Sequence, residues 1–208
     1  MSIIDLRPAR RHAPTVRLIS ISAEPFVQKS YRDCPPLIRE TVGRLALQRE
    51  CWALRRLESS GHAPRLIDRP DSFTIETEYV AGTPLEKLNP AQVNAEKLFD
   101  QGCSLLETLK RAGIVHGDLG HDYWQSMGRE SNLIWTADER LVAIDFAGSL
   151  PLHLPFTPLR NLCQALHHHD GLLLSKIGHH FRPERLGKTA EVDWPVGLWD
   201  LLRFLGKV

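Results

Sequence analysis

The sequence predicts an α+β fold in two unequal lobes, a small β-rich lobe over about residues 1–80 and a reduced, mainly helical lobe over about residues 81–208. Three observations predict it. Short β-branched and aromatic runs, bounded by proline and turn residues, fill much of the first third. One helical pattern interrupts them. After "AGTP", residues 81–84, apolar positions recur every three or four residues, the period of helices buried along one face. With 208 residues, 42% hydrophobic and 25% charged, the chain has the size and composition of one folded domain.

In chain order, "TVRLISIS" (15–22) and "PFVQKSY" (25–31) read as a first strand pair. A helix follows over about Leu37–Ser59 and stops before Gly61. Its inward stripe, Val42, Ala46, Glu50, Ala53 and Leu57, keeps helical spacing. Glu50 stands in the middle of that stripe, where an unpaired carboxylate is costly. Either a basic group meets it, or it lies at the stripe's edge facing solvent. "PRLID" and "SFTIETEYV" read as a second strand pair with "RPDS" as the turn, and a hinge follows near Glu78–Gly82. A second helix covers about Pro90–Arg111, with Leu98, Gly102, Leu105, Leu109 and Ala112 on one face and Gly113 as its C-cap. "NLIW" and "LVAIDF" are strands around the turn "TADER". Helices are expected at about Leu159–Ile177, Pro183–Leu186 and Pro195–Leu205.

Several function classes drop out. A formal net charge of +1 implies no broad basic surface, so no nucleic-acid partner is expected, although Arg7, Arg10, Arg11 and Arg17 form a local basic group. The four cysteines, Cys34, Cys51, Cys103 and Cys163, lie far apart with no CxxC pair, and read as reduced, mostly buried thiols. The histidines at 167–169 and 179–180 lack carboxylate or cysteine partners at ligand spacing. No apolar run approaches the roughly 18–20 residues that span a bilayer. The N-terminus places its arginines after its short apolar piece, the reverse of a signal peptide. A cytoplasmic location is expected. Trp194 and Trp199 read as core or lobe-packing groups, with contact of their amphipathic segment to a protein partner or a membrane surface as the alternative.

The chemistry concentrates in "GIVHGDLGHDYWQSMGRESNLIW", residues 113–135, and "AIDFAGS", residues 143–149. Asp118 follows His116 and Gly117 at the end of an apolar run, Asn132 opens the next strand, and Asp145 ends the one after. Two carboxylates and an amide at neighbouring strand ends suit Mg²⁺, which takes a few protein oxygens and completes its shell with water and phosphate. In the first lobe, Lys29 is a strand lysine flanked by apolar residues, placed just before the helix that carries Glu50.

These residues resemble the protein-kinase-like superfamily. "FVQK" is similar to its strand-lysine motif, Glu50 to its helix glutamate, "HGDL" with Asn132 to its catalytic loop, and "DFA" to its Asp-Phe-Gly motif. The Gly at 117 resembles atypical and small-molecule kinases: RIO-type kinases, the small KEOPS-complex kinase, lipopolysaccharide-core kinases and aminoglycoside phosphotransferases. The resemblance covers roughly residues 16–150. It implies a bilobal kinase-like fold and an ATP- and Mg²⁺-dependent transfer of phosphate to a hydroxyl acceptor. It further implies that Lys29 holds the α/β-phosphates with Glu50 orienting it, and that Asp118 serves as base or hydroxyl-positioning group. Asn132 and Asp145 would bind Mg²⁺, the Glu78–Val80 backbone would meet the adenine, and His116 would orient the loop. The acceptor stays open between a Ser/Thr side chain, a sugar and another small molecule. The alternative is a pseudokinase or an ATPase switch within a complex.

The chain also departs from the pattern. The family's metal-binding Asn follows the catalytic Asp by five residues, where this chain has Tyr123. Assigning the role to Asn132 makes the intervening residues an insertion, within 119–131. It holds His121, Asp122, Tyr123, Trp124, Gln125 and Arg129, and reads either as an acceptor-shaping element or as a solvated loop. "RLISISAEPFVQK" has no glycine where a glycine-rich phosphate loop is expected, leaving Ser20 and Ser22 to do part of that work. Ala147 takes the place of the motif's glycine, and there is no Ala-Pro-Glu motif.

Overall fold

The computed structural model describes residues 2–8, 10–21, 24–119 and 131–153, together with 163, 166, 167, 169–174, 177 and 181. Residues 120–130, the expected helices at 183–186 and 195–205, and Trp194 and Trp199 lie outside the described residues.

An antiparallel five-stranded sheet carries the first lobe. Its strands are β1 (Ser2–Arg7), β2 (Thr15–Ser20), β3 (Phe26–Ser30), β4 (Leu66–Asp71) and β5 (Thr74–Glu78), in the order β1-β2-β3-β5-β4. β1 is an addition to the sequence expectation. It makes residues 8–14 the connection that feeds β2, ahead of the glycine-free stretch 17–29. The β4–β5 turn shifts. Arg69, Pro70 and Asp71 belong to β4, and Ser72–Phe73 make the turn, closed by the Phe73 amide donating to Asp71 Oδ1 at 2.6 Å. Pro70 is tolerated in a strand because β4 is an edge.

The helix beneath this sheet is a rod of three pieces: α1 (Pro36–Ile38), a π-helical turn (Arg39–Gly43) and α2 (Arg44–Arg56). The wide turn lies where the rod meets Tyr31. A Cβ on Gly43 would stand 2.8 Å from Tyr31 Cγ, so only glycine fits there without a shift. Arg39 and Arg44 both lie 5.0 Å from the centroid of the Phe73 ring, and these cation–π contacts tie the rod to the β4–β5 turn. The buried face is wider than the expected stripe, with Ala46, Leu47, Glu50, Cys51, Ala53 and Leu54 inside. Leu47 and Cys51 pack with Ile75 under the sheet. Ala53 and Leu54 join the larger core of the second lobe. Glu50 lies between these two groups on the rod.

In the second lobe, α3 (Ala95–Ala112) starts later than expected. Asn94 caps it by accepting from the amides of Glu96 and Lys97, and Pro90–Gln92 form a separate 3₁₀ turn. Gly113 ends it in the left-handed conformation at φ 69°, as expected of a glycine C-cap. Leu98, Leu105 and Leu109 pack against Leu133, Leu141 and Phe146. Two small sheets hold the loops: β6 (Thr83–Pro84), β8 (Leu133–Trp135) and β9 (Leu141–Ala143) in one, β7 (Ile114–Val115) and β10 (Leu150–Pro151) in the other. The described residues between 163 and 177 are helical, as expected for that region. Cys34, Cys51 and Cys163 are buried, Cys103 is exposed, and all are free thiols. Among the described residues no helix is long and apolar enough to cross a membrane.

Gly82 enters β6 against the second-lobe sheet. A Cβ there would lie 2.4 Å from the Trp135 carbonyl oxygen and 2.6 Å from Ile134 Cγ2. Since a backbone oxygen cannot swing away, Gly82→Ala is expected to force β6 and β8 apart and to destabilise by about 1–3 kcal/mol. A thermal melt reads this as a fall of about 2–4 °C per kcal/mol. An unchanged midpoint would show that the hinge absorbs the methyl group.

Candidate active site

Lys29 is delivered by β3, hydrogen-bonded between β2 and β5. Its ammonium donates to both oxygens of Glu50, at 2.7 and 2.8 Å, and to Asp145 Oδ1 at 2.8 Å. Glu50 therefore faces a cation and not solvent. The side chains of Lys29 and Glu50 are 9% and 5% exposed, whereas that of Asp145 is 35% exposed. Burial and mutual charge together set how the three groups ionise. Burial pulls the Lys29 ammonium toward neutrality, but the charges and hydrogen bonds of Asp145 and Glu50 more than reverse this and raise its pKa. The Lys29 charge holds Asp145 far below the usual carboxylate range against its desolvation. Burial pushes Glu50 up, and Lys29 offsets only part of that. Beside them, burial raises the Tyr31 hydroxyl to about 12.

Asp145 follows β9 in the left-handed region, at φ 62° and ψ 65°. Such backbone is uncommon for a residue with a side chain, though aspartate tolerates it better than most. Phe146 behind it is fully buried in the second-lobe core. One turn is therefore packed on one side while carrying the carboxylate to Lys29 on the other.

β8 and β9 bring Asn132 beside this turn. Leu133 pairs with Ala143, and the Ile144 amide donates to the Asn132 carbonyl at 2.9 Å. Asn132 Nδ2 donates to Asp118 Oδ2 at 3.0 Å. The same nitrogen lies 3.5 Å from the Asp118 backbone carbonyl, which only accepts, so the amide nitrogen faces Asp118 and the side-chain carbonyl of Asn132 is left as an oxygen donor. The spacing of 14 residues between them is thus closed in space.

The loop carrying Asp118 is anchored from a residue that the sequence reading passed over. Asp170 Oδ2 accepts from the His116 amide at 2.7 Å, and both its oxygens accept from the Gly117 amide, at 2.9 and 3.1 Å. Burial raises the Asp170 pKa, against the His116 charge and the backbone hydrogen bonds. The available signal was an acid inside an apolar helical run, "LHHHDGLLL", the same signal that marked Glu50. Gly117 has φ +79°, which explains a glycine after His116: a side chain there would be strained although nothing else lies closer than 3.9 Å. His116 stacks edge-on to Phe146 with centroids 4.7 Å apart, and its Nε2 lies 3.1 Å from the Ile144 carbonyl. A carbonyl only accepts, so Nε2 carries the proton. His116 thereby ties the Asp118 loop to the Asp145 turn. Asp170→Ala would strand the buried His116 amide and the half-buried Gly117 amide, and a loss of about 2–3 kcal/mol in urea unfolding is expected. A loss below 0.5 kcal/mol would mean that other groups hold the loop.

At the hinge, the Glu78 amide donates to the Arg65 carbonyl at 2.9 Å, and Glu78 Oε2 accepts from the Arg65 amide at 3.1 Å. These bonds fix the end of β5, and Tyr79 and Val80 follow it.

The donor set suits Mg²⁺ arriving with phosphates. Asp145 has an oxygen beyond the one bound to Lys29 and a partly open side chain, and Asn132 has its carbonyl. Among the described residues no cluster of three His, Cys, Asp or Glu side chains could hold an ion by itself.

Comparison with known proteins agrees with this geometry. Residues 28–157 match the family model described as the RIO domain. The chain is 29% identical over 115 residues to the serine/threonine-protein kinase RIO2 of Caenorhabditis elegans, an alignment covering 55% of this chain and 20% of that protein. The structure matches the Rio2 kinase–ADP/Mg²⁺–phosphoaspartate complex from Chaetomium thermophilum with a TM-score of 0.64 and 16% identity, over 100% of this chain and 62% of that one. A second structure of the Chaetomium thermophilum kinase gives a TM-score of 0.59 at 16% identity, over 100% and 64% of the two chains. The fold is therefore the bilobal, α+β, kinase-like fold, and the chain spans about a fifth of its curated relative's length. The matched span takes in Lys29, Glu50, Asp118, Asn132 and Asp145, and the chain belongs to the RIO-domain family.

Proposed function

We propose that this protein is an ATP- and Mg²⁺-dependent phosphotransferase that moves the γ-phosphate of ATP to a hydroxyl acceptor. One observation carries the reading: the Lys29 ammonium is held by Glu50 and Asp145 beside the Asp118–Asn132 pair. Lys29 would grip the α/β-phosphates, with Glu50 fixing its position. Asp145 would turn from Lys29 toward the metal, sharing it with the Asn132 carbonyl. Bound Mg²⁺ would supply positive charge to the transferring phosphate. Asp118 would orient the acceptor hydroxyl and take its proton. The Glu78–Val80 backbone would meet the adenine. A Ser/Thr hydroxyl is the favoured acceptor, since the matched relative is named a serine/threonine-protein kinase. A reducing, ATP-containing compartment such as the cytoplasm suits the free thiols.

Calorimetry tests the first step. ATP is expected to bind at least about tenfold more tightly with Mg²⁺ than with EDTA, because Asn132 and Asp145 hold the ion only together with phosphate. No ATP binding in either condition would favour a scaffold without nucleotide chemistry.

A second reading is an ATPase switch that parks phosphate on a carboxylate of the cleft. The favouring observation is that one solved relative is an ADP/Mg²⁺–phosphoaspartate complex. Label from γ-³²P-ATP that hydroxylamine removes from the protein would support it. Label only on an added hydroxyl acceptor would support direct transfer.

A further inference from the structure

The turn between β1 and β2 holds no glycine. It reads Pro8, Ala9, Arg10, Arg11, His12, Ala13, Pro14. A nucleotide entering the cleft therefore meets no glycine backbone to approach closely. It also meets an unfavourable local charge, since Lys29 is flanked by two carboxylates, Glu50 and Asp145. Beyond Lys29 and the Mg²⁺ that would arrive with the phosphates, further positive charge favours a polyphosphate.

Arg7 is placed to supply it. Residues paired directly across antiparallel strands point to the same face. Arg7 pairs with Val16, Val16 with Lys29, and Lys29 with Ile75, so Arg7 shares the face on which Lys29 meets Glu50. A register shift between Asp5 and Arg7 is responsible. Asp5 pairs with Arg17, so without the shift Arg7 would stand opposite Thr15, on the face of the Asp5–Arg17 ion pair. The bulge re-aims it toward the cleft. There the Arg7 Nε is buried with no hydrogen-bond partner. Its charge acts on Asp145, Glu50 and Tyr31. A buried guanidinium nitrogen without an acceptor is costly, and a phosphate oxygen would satisfy it. The turn beyond is held in shape: Arg10 and Ala13 exchange backbone hydrogen bonds at 3.3 and 3.2 Å, and the Cys34 thiol lies 3.4 Å from the Ala13 carbonyl. Its Arg10 and Arg11 are exposed.

We propose that Arg7 is a ligand for the nucleotide's polyphosphate, backed by the basic turn with Arg10 and Arg11, so that side-chain charge takes the place of a glycine-rich turn's backbone amides. This rests on the reading of the cleft as a nucleotide site.

The test titrates ATP, adenosine and inorganic tripolyphosphate, each with Mg²⁺, into the full chain and its Arg7→Gln, Arg7→Lys and Arg17→Gln variants. Arg7→Gln is expected to weaken ATP and tripolyphosphate about tenfold or more and to leave adenosine unchanged, as the loss of a charge-assisted contact predicts. Arg7→Lys should recover part of the loss, and Arg17→Gln, on the opposite face, should match wild type. Equal weakening of ATP and adenosine would show that Arg7 only supports the sheet, and unchanged tripolyphosphate binding in Arg7→Gln would show that it contacts no phosphate; either result overturns the proposal. Tripolyphosphate that binds through Arg7 while ATP does not bind would keep the anion site and remove the nucleotide reading.

Discussion

Lys29→Met is expected to lower the unfolding free energy by about 3–5 kcal/mol, because it leaves the buried Glu50 carboxylate without its cation. Glu50 is 5% exposed on its side chain and receives two hydrogen bonds from Lys29, so water cannot replace what is lost. The variant should answer by protonating Glu50. A raised folded-state pKa contributes stability that is present at low pH and lost as pH rises through that pKa. Acidification from pH 8 to 5 should therefore raise the variant's stability relative to wild type. Asp145 behaves in the opposite way in wild type. Its pKa is held down by Lys29, so its contribution is present above about pH 4 and lost as pH falls further. The double variant Lys29→Met/Glu50→Gln should recover part of the loss, since an amide is less costly to bury than an unpaired charge. Urea unfolding across pH measures all three. Equal stability of wild type and Lys29→Met would mean that the pair contributes nothing to the folded state.

Asp118→Asn is expected to reduce phosphoryl transfer about 10²–10⁴-fold while changing ATP affinity less than about threefold. The substitution keeps the shape and leaves a group able to meet Asn132, but removes the proton acceptor. Asp118 reaches its place on a loop anchored by Asp170, not through contact with Lys29 or Glu50. The variant should thus retain wild-type unfolding and lose only chemistry. Rapid-quench transfer measurements set beside calorimetric ATP titrations separate the two effects. Parallel losses in affinity and rate would make Asp118 a nucleotide-site residue.

How far the sequence foretold this cleft depended on whether local pattern carried the relevant physics. Glu50 was legible in part: a carboxylate inside an apolar stripe left pairing or a solvent-facing edge open, and the kinase-like resemblance gave it Lys29, the strand lysine just before that helix, as partner. Asp118, Asn132 and Asp145 were legible from strand ends, and the structure gathers them as their order implied. β1 was missed because Ser2–Leu6 are exposed along their whole length, so no alternation marked them as a strand. Missing β1 also left the β1–β2 turn unread, so Arg7 stood only as one of a local basic group. Its orientation comes from a one-residue register shift, a property of pairing that no single strand encodes. Asp170 was passed over because the histidines before it were weighed as metal ligands and set aside for want of partners at ligand spacing. The β4–β5 turn was misjudged because Pro70 reads as a turn residue, whereas an edge strand accepts it. The Tyr123, Trp124 and Arg129 insert lies outside the described residues, and its role stays where the sequence left it.

The most direct test of a Mg²⁺- and ATP-dependent transferase is phosphate transfer or release from γ-³²P-ATP by the purified chain, followed with Mg²⁺, with EDTA, and in Asp118→Asn. The assignment of the cleft predicts product with Mg²⁺, none above background with EDTA, and a loss of at least about a hundredfold in Asp118→Asn. Equal product from wild type and Asp118→Asn, or product that does not depend on Mg²⁺, would contradict it.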